Sequence, residues 1–285
     1  MKILVTGADG QLGRALQKVL PENETVFTTR KDLDITNKKQ VVQQIASVRP
    51  DFVIHTAAYT DVDGCEKNPK LANNINFEGT KNITKACEKV GATLIYISTD
   101  FVFDGKKKTP YKENDATHPL QVYGKSKLAG EKEVQKLPKY YIIRTSWLFG
   151  PTSREASRGK SNFVQTILAL AKKHVEIKVV SDQIGCPTYA KDLSKEIKKL
   201  IYDIRNKKYE SKILHVTNSG ETSWADFAKE IIKQKKLNTK IIPITTAQRQ
   251  KIRPDSAPRP KYSVLKPSVK MRNWKEALRD YLNSF

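Results

Sequence analysis

Seven residues near the amino terminus, Gly7-Ala8-Asp9-Gly10-Gln11-Leu12-Gly13, constrain this chain more than any other stretch. Three glycines stand at a GxxGxxG spacing, directly after an apolar run over residues 2–5 and directly before a helical pattern over residues 12–20. Gly7 suits a tight turn. Gly10 lets backbone amides approach a pyrophosphate, which also meets the positive end of a helix dipole. Gly13 lets the helix pack closely on the strand. Strand, glycine turn and helix in that order predict a dinucleotide-binding βαβ unit, with Gly7, Gly10, Gln11, Leu12 and Gly13 against the cofactor.

The alternation continues. Strands are predicted over residues 25–28, 52–54, 93–97 and 140–143. A helix is predicted to start at Asp34-Ile35-Thr36, with Val41, Val42 and Ile45 as its buried stripe, and others cover 74–90 and 126–137. Repeated βαβ units imply an α/β fold, a doubly wound parallel sheet of the Rossmann type covered by helices on both faces. Past residue 150 the rhythm loosens. Residues 153–161 read as a polar loop, and residues 246–260, with Pro254, Pro258 and Pro260, as another. Helices are predicted over 163–173, 190–202 and 224–235, and strands over 177–180 and 213–216. The expected organisation is a dinucleotide-binding domain over residues 1–150, with strand and helix returning to it near 177–204. Residues 151–285 then form mostly a small substrate-binding lobe.

Composition narrows the function classes. The chain carries 52 basic and 30 acidic residues, a net charge of +22, which raises a nucleic-acid partner. The lysines, however, are spread along polar helix faces, as at Lys195, Lys198 and Lys199, or Lys229, Lys233, Lys235 and Lys236. No RRM, KH or zinc-finger signature accompanies them. They read as solvated faces whose field also attracts a diphosphate substrate. Cys65, Cys87 and Cys186 are too few and too scattered for a disulfide framework. With His55, His118, His174 and His215 equally dispersed, no metal site is expected. No apolar run reaches the roughly 18 residues of a membrane span. A strand starting at Lys2 leaves no room for a signal peptide, so the cytoplasm is the expected compartment.

Two further segments carry chemistry. The second strand ends at Thr28-Thr29-Arg30-Lys31, where an NAD site would place an acidic residue for the ribose. Arg30 there favours the 2′-phosphate of NADPH, with NADH still possible. Asp34 and Ile35 lie toward the adenine or the next helix start. Ala57-Ala58-Tyr59 follow the third strand, where small residues let a cofactor lie close, while His55 reads as a packed core histidine. Tyr123-Gly124-Lys125-Ser126-Lys127 is a YxxxK motif. Residues four apart share a helix face, and a lysine there is expected to draw the phenol pKa from about 10 toward neutrality. Ser98-Thr99-Asp100 closes the fourth strand at its carboxyl end, where a Thr99 hydroxyl can polarise a substrate oxygen.

The glycine spacing and the order turn, hydroxyl, YxxxK resemble the extended short-chain dehydrogenase/reductase superfamily. Residues 98–105, 123–131, Arg144-Thr145-Ser146-Trp147, 180–188 and Pro258-Arg259-Pro260-Lys261-Tyr262-Ser263 resemble the dTDP-4-dehydrorhamnose reductase family within it. The similarity runs across nearly the whole chain. It implies NADPH-dependent reduction of the C4 ketone of dTDP-4-dehydro-L-rhamnose. It makes Tyr123 the proton donor, Lys127 its activator and a ligand of the nicotinamide ribose, and Thr99 the group that orients the keto oxygen. Asp100 and Trp147 then lie at the sugar and Arg259 near the substrate. Phe101 stands where the family commonly has tyrosine, and Cys186 where it commonly has alanine. Some members are dimers with a bound magnesium ion, for which this sequence shows no ligand set. A reductase or epimerase of another nucleotide-sugar is the nearest alternative. A non-catalytic relative, such as a regulatory subunit of methionine adenosyltransferase, has no chemical need of the intact Thr99, Tyr123 and Lys127.

Overall fold

A computed structural model of the chain describes residues 1–151, 161–206 and 212–284. The first unit is β1 (Ile3–Thr6), α1 (Gln11–Gln17), β2 (Thr25–Thr28), α2 (Lys38–Val48) and β3 (Phe52–His55). A broken helical run follows: α3 (Val62–Lys67), α4 (Pro69–Asn73), a π-helical stretch at Asn74–Gly79, and α5 (Thr80–Val90). Then come β4 (Thr93–Thr99), α6 (Val122–Val134) and β5 (Tyr140–Thr145). The later half holds β6 (Leu148–Phe149), α7 (Phe163–Ala171), β7 (Glu176–Val180), β8 (Ile184–Gly185), β9 (Thr188–Tyr189) and α8 (Ala190–Arg205). It ends with β10 (Ile213–His215), β11 (Thr222–Ser223), α9 (Trp224–Gln234), β12 (Lys240–Ile244), α10 (Thr246–Ile252) and α11 (Trp274–Leu282).

Six strands form one parallel sheet in the order β10-β5-β4-β3-β1-β2. The predicted doubly wound architecture is therefore present. Every residue of β1 and β3 is buried, as strands covered on both faces must be. Alternate residues serve opposite faces. Ile3, Val5 and Ile54 pack with Leu12 and Leu16 of α1 and Leu193 and Ile197 of α8. Leu4, Val53 and Leu94 pack with Val41 and Ile45 of α2 and Ile83 of α5. A separate core, rich in aromatic rings, joins Phe149, Tyr189, Phe227, Trp274 and Tyr281 in the carboxyl-terminal lobe.

Three local readings need revision. The strand expected to return to the sheet near 177 does not do so: β7 pairs in parallel with β12 from Glu176 to Val180. The return is made by α8, which packs on α1, and by β10 at the sheet edge. Residues 246–252 are helical rather than loop, because Thr245 and Gln248 form a capping box ahead of the prolines. Helix α2 begins at Lys38, capped by Asn37, since Asp34 is engaged in its own turn with Thr36. The polar stretch 153–161 lies, except for Ser161, outside the described residues.

Helix α6 carries the YxxxK motif and is fixed by a buried ion pair. Arg144 of β5 grips Glu131 through two parallel bonds, Nε to Oε1 at 3.0 Å and Nη2 to Oε2 at 2.8 Å. Ser98 donates to the same carboxylate, and both charged side chains are almost wholly buried. Replacing one member leaves the other charged and unpaired in a dry interior, at a cost of about 3–5 kcal/mol. Glu131→Ala is therefore expected to lower the urea midpoint by that equivalent, whereas Glu131→Leu with Arg144→Met regains most of it. A single variant as stable as the parent would show that the pair does not hold the helix.

Candidate active site

The glycine turn lies at the carboxyl end of β1. Gly7 has a φ of +70°, and a Cβ there would stand 2.8 Å from the backbone of Ala57. A Cβ on Gly13 would overlap the Gly7 carbonyl, so that position is glycine for packing. Gly10 differs: a Cβ would meet only the Gly7 carbonyl, at 3.3 Å, and the residue provides no side-chain cap to α1. The first turn of α1 is thus left without a side-chain cap. The side-chain amide oxygen of Gln11, Oε1, is buried and has no hydrogen-bond partner. This cradle fits a dinucleotide pyrophosphate. Leu12 is in the core, so only its backbone is available there.

Around the turn, Ala8 N donates to Thr28 O at 3.0 Å, which joins it to the end of β2. Arg30 projects, exposed, from the turn that Asp32 closes by accepting from Thr29 N and Thr29 Oγ1. The Asp34 carboxylate accepts from Thr36, and Ile35 is buried beneath Gly79. Ala57, Ala58 and Tyr59 are half-buried where β3 leaves the sheet. His55 is a core residue: Nδ1 lies 2.7 Å from Thr6 Oγ1, Nε2 lies 3.1 Å from Thr80 Oγ1, and burial drives its pKa down to about 3.

Thr99, Asp100, Tyr123 and Lys127 converge at the end of β4. The Thr99 hydroxyl lies near enough to the Tyr123 phenol to favour its ionised form, and Oγ1 donates to Asp100 Oδ1 at 3.1 Å. Ser263, from the carboxyl-terminal lobe, donates to Asp100 Oδ2 at 2.6 Å. Lys127 is buried with Nζ 4.0 Å from the centre of the Tyr96 ring. A Cβ on Gly124 would overlap the Phe101 carbonyl, so glycine lets α6 approach the strand end closely. Asn76 went unnoticed in the sequence. It accepts from Tyr59 N at 2.7 Å and donates to Tyr59 O and to Ser126 Oγ, both at 3.0 Å. It thereby ties the segment after β3 to the reactive helix.

Electrostatics overturn one expectation. Lys127 was expected to draw the Tyr123 phenol toward neutrality, but burial and the nearby Asp100 charge push that phenol well above its ordinary value. Burial also lowers Lys127 to about 7, against the pull of Glu131, and raises Asp100 to about 7 against bonds from Ser263 and Thr99. Spacing supplied proximity, while desolvation of all three groups decided the sign.

Trp147 and Arg259 sit farther out. Trp147 has a φ of +46° and stacks on Trp224 with ring centroids 3.5 Å apart, over Gly185, whose missing Cβ makes room for the indole. Arg259 bonds to Asp63 of α3 at 2.8 Å and to the Ala257 carbonyl at 2.8 Å. Among the described residues, no three His, Cys, Asp or Glu side chains gather as a metal site. No helix there is long and apolar enough to cross a membrane.

The sequence profile described as the RmlD substrate binding domain matches residues 1–285. The chain belongs to that family. A dTDP-4-dehydrorhamnose reductase of Aggregatibacter actinomycetemcomitans is 38% identical over 297 residues, covering 98% of this chain and 97% of that protein. The spore coat polysaccharide biosynthesis protein SpsK of Bacillus subtilis is 41% identical, covering 99% and 96%. The crystal structure of dTDP-4-dehydrorhamnose reductase from Bacillus anthracis in complex with NADP superposes with a TM-score of 0.91 at 40% identity over the full length of both chains. The RmlD-family fold extends to a Thermus thermophilus UDP-glucose 4-epimerase, at 18% identity and a TM-score of 0.77, covering 99% and 98% of the two chains.

The Asp100 environment sets a pH dependence of stability. Its pKa is about 7 in the folded protein and about 3.9 in an unfolded chain, so between those values the native state binds the extra proton. Its contribution is fully present below pH 4 and lost as pH rises through 7, by up to about 4 kcal/mol. His55 acts oppositely in part of this window, so the difference between parent and variant isolates the carboxyl. Asp100→Asn is expected to gain stability relative to the parent between pH 4 and 7 in chemical unfolding. Parallel pH profiles would mean that Asp100 stays ionised.

Proposed function

We propose that the chain is an NADPH-dependent reductase that converts the C4 ketone of dTDP-4-dehydro-L-rhamnose to the alcohol of dTDP-L-rhamnose. The observation that carries this reading is the convergence of Thr99 and Tyr123 with the buried Lys127 at the carboxyl end of β4. Open α/β sheets bind ligands at that end. The full-length similarity to named dTDP-4-dehydrorhamnose reductases, one in complex with NADP, supports both substrate and cofactor.

The glycine turn with the start of α1 would hold the pyrophosphate of the cofactor, and Arg30 its 2′-phosphate. Bound there, the nicotinamide cofactor supplies hydride to the ketone carbon. Reduction requires a proton for the ketone oxygen. A phenol kept protonated by burial carries one through neutral pH, which suits Tyr123 to the acid role in this direction. Thr99 fixes the oxygen that receives the proton. Lys127 would bind the ribose hydroxyls next to the nicotinamide. Asp100 and Trp147 would line the sugar, one from each lobe of the cleft.

Two substitutions separate these roles. Tyr123→Phe is expected to lower NADPH oxidation with the 4-keto sugar by about 10²–10⁴-fold while NADPH affinity changes little. Comparable loss of affinity would make the phenol a cofactor anchor instead. Arg30→Ala is expected to weaken NADPH by about tenfold or more, one charge-assisted contact, and to leave NADH unaffected. Equal effects on the two cofactors, measured by fluorescence titration, would remove Arg30 from phosphate recognition.

A further inference from the structure

Tyr123 is the second residue of α6, in the turn whose amides a helix cannot bond for itself. The Glu131–Arg144 pair that anchors α6 lies about two turns further on, roughly 12 Å along the axis. That distance leaves the first turn to be held separately, since helix ends open at little cost unless they are tied down. The local sequence supplies no cap. The N-cap residue is Gln121, outside the residue types that cap well, and its side chain makes no capping bond. Its buried amide group has no hydrogen-bond partner at either atom. No acidic residue stands in the first turn.

The cap comes from elsewhere in the chain. Glu66 of α3, 56 residues earlier, accepts from Val122 N at 2.7 Å through Oε1. Val122 is the first residue of α6 and the neighbour of Tyr123. A carboxylate bonded to an amide at a helix start makes one of the stronger hydrogen bonds, and it meets the positive end of the helix dipole. Cys65, beside Glu66, is buried near enough to the Tyr123 phenol to work against its ionised form. Helix α3 therefore flanks the reactive side chain as well as its backbone. It is itself fixed at both ends. Asp63 accepts from Ala257 N at 3.0 Å and from Arg259 at 2.8 Å, while Asn68 closes α3 on the Gly64 carbonyl and caps α4 through Leu71 N.

We infer that Glu66 is a positioning residue for Tyr123: its bond to Val122 N fixes the first turn of α6 and so sets the phenol against Thr99 and the ketone oxygen. This rests on the reading of Tyr123 as the acid and adds what keeps that acid in register. A proton passes only within hydrogen-bond reach, and a displacement of about 1 Å can cost about a hundredfold in rate. The cofactor depends on other groups, the glycine turn and Lys127 one turn deeper, so a loosened first turn acts on the chemical step.

Two conservative variants of the full-length protein separate reach from charge. Glu66→Gln keeps the accepting oxygen and its reach but loses the charge. Glu66→Asp keeps the charge but draws the oxygen back by one carbon–carbon bond, about 1.5 Å. Steady-state NADPH oxidation with the 4-keto sugar is measured for each, with NADPH affinity and hydrogen exchange of the peptide spanning the first turn of α6. Glu66→Asp is expected to lower kcat by about 10- to 100-fold, with KM and NADPH affinity little changed and faster exchange in that peptide. Glu66→Gln is expected to stay within about fivefold of the parent, the difference between a charged and a neutral acceptor. Parental kcat in Glu66→Asp, even with lowered thermal stability, would show a merely structural contact and overturn the inference. An equal fall in Glu66→Gln would overturn it too, since charge rather than reach would then be at work. If the parent oxidises no NADPH with the 4-keto sugar, the reductase reading fails and the exchange decides alone. Faster exchange in Glu66→Asp but not in Glu66→Gln keeps Glu66 as the group that sets Tyr123, and unchanged exchange in both overturns it.

Discussion

The Glu131–Arg144 pair anchors the geometry on which the candidate chemistry depends. Tyr123, Lys127 and Glu131 recur at intervals of four on α6, so they share one face. Glu131 ties that row to the sheet by charge, through Arg144 of β5 and Ser98 of β4. Ser98 immediately precedes Thr99, so the carboxylate that fixes the helix also fixes the strand end opposite Tyr123. The two-pronged geometry removes both sliding and rotation of α6, which a single hydrogen bond would not. Gly124 completes the arrangement by letting the helix approach the Phe101 carbonyl.

The carboxyl-terminal lobe meets this frame through a few polar bonds and one aromatic stack. Ser263 reaches Asp100, and Asp63 binds the segment around Ala257. On the lobe side, Trp147 is held against Trp224 in a left-handed backbone conformation that most residues avoid. A non-glycine residue remains there only when its surroundings over-determine it, and such positions concentrate at ligand sites. The indole stack and the space left by Gly185 provide that support.

What could be read from the sequence was local. The glycine turn declares itself because each of its glycines answers a steric demand within seven residues. The YxxxK row declares itself because four residues make about one helical turn. The strands of the main sheet show as short runs centred on apolar residues. Contacts made across the chain gave no such signal. Asn76 meets Ser126 fifty residues later, and Ser263 meets Asp100 from 163 residues away. Strand β7 resembles the nucleotide-domain strands in pattern, yet pairs with β12, a partner that periodicity cannot name. Helix α10 shows the competition between local cues: a capping box at Thr245 and Gln248 prevailed over three prolines, all of which lie beyond its end. Tyr123 shows a different limit, since sequence spacing fixes which groups are near but not how dry their surroundings are.

That dryness also separates the charge of the pocket from the charge of the protein. Burial moves Asp100, Tyr123 and Lys127 toward their neutral forms, so the floor of the site contributes little field of its own near neutral pH. The chain as a whole carries +22, but at physiological ionic strength a charge is screened beyond about 8 Å. Lysines on the outer faces of α8 and α9 raise the rate of encounter with an anion more than they orient it. Orientation needs charged groups that the fold itself holds in place. Arg259, half-buried and paired with Asp63, is less screened than a surface lysine and less mobile.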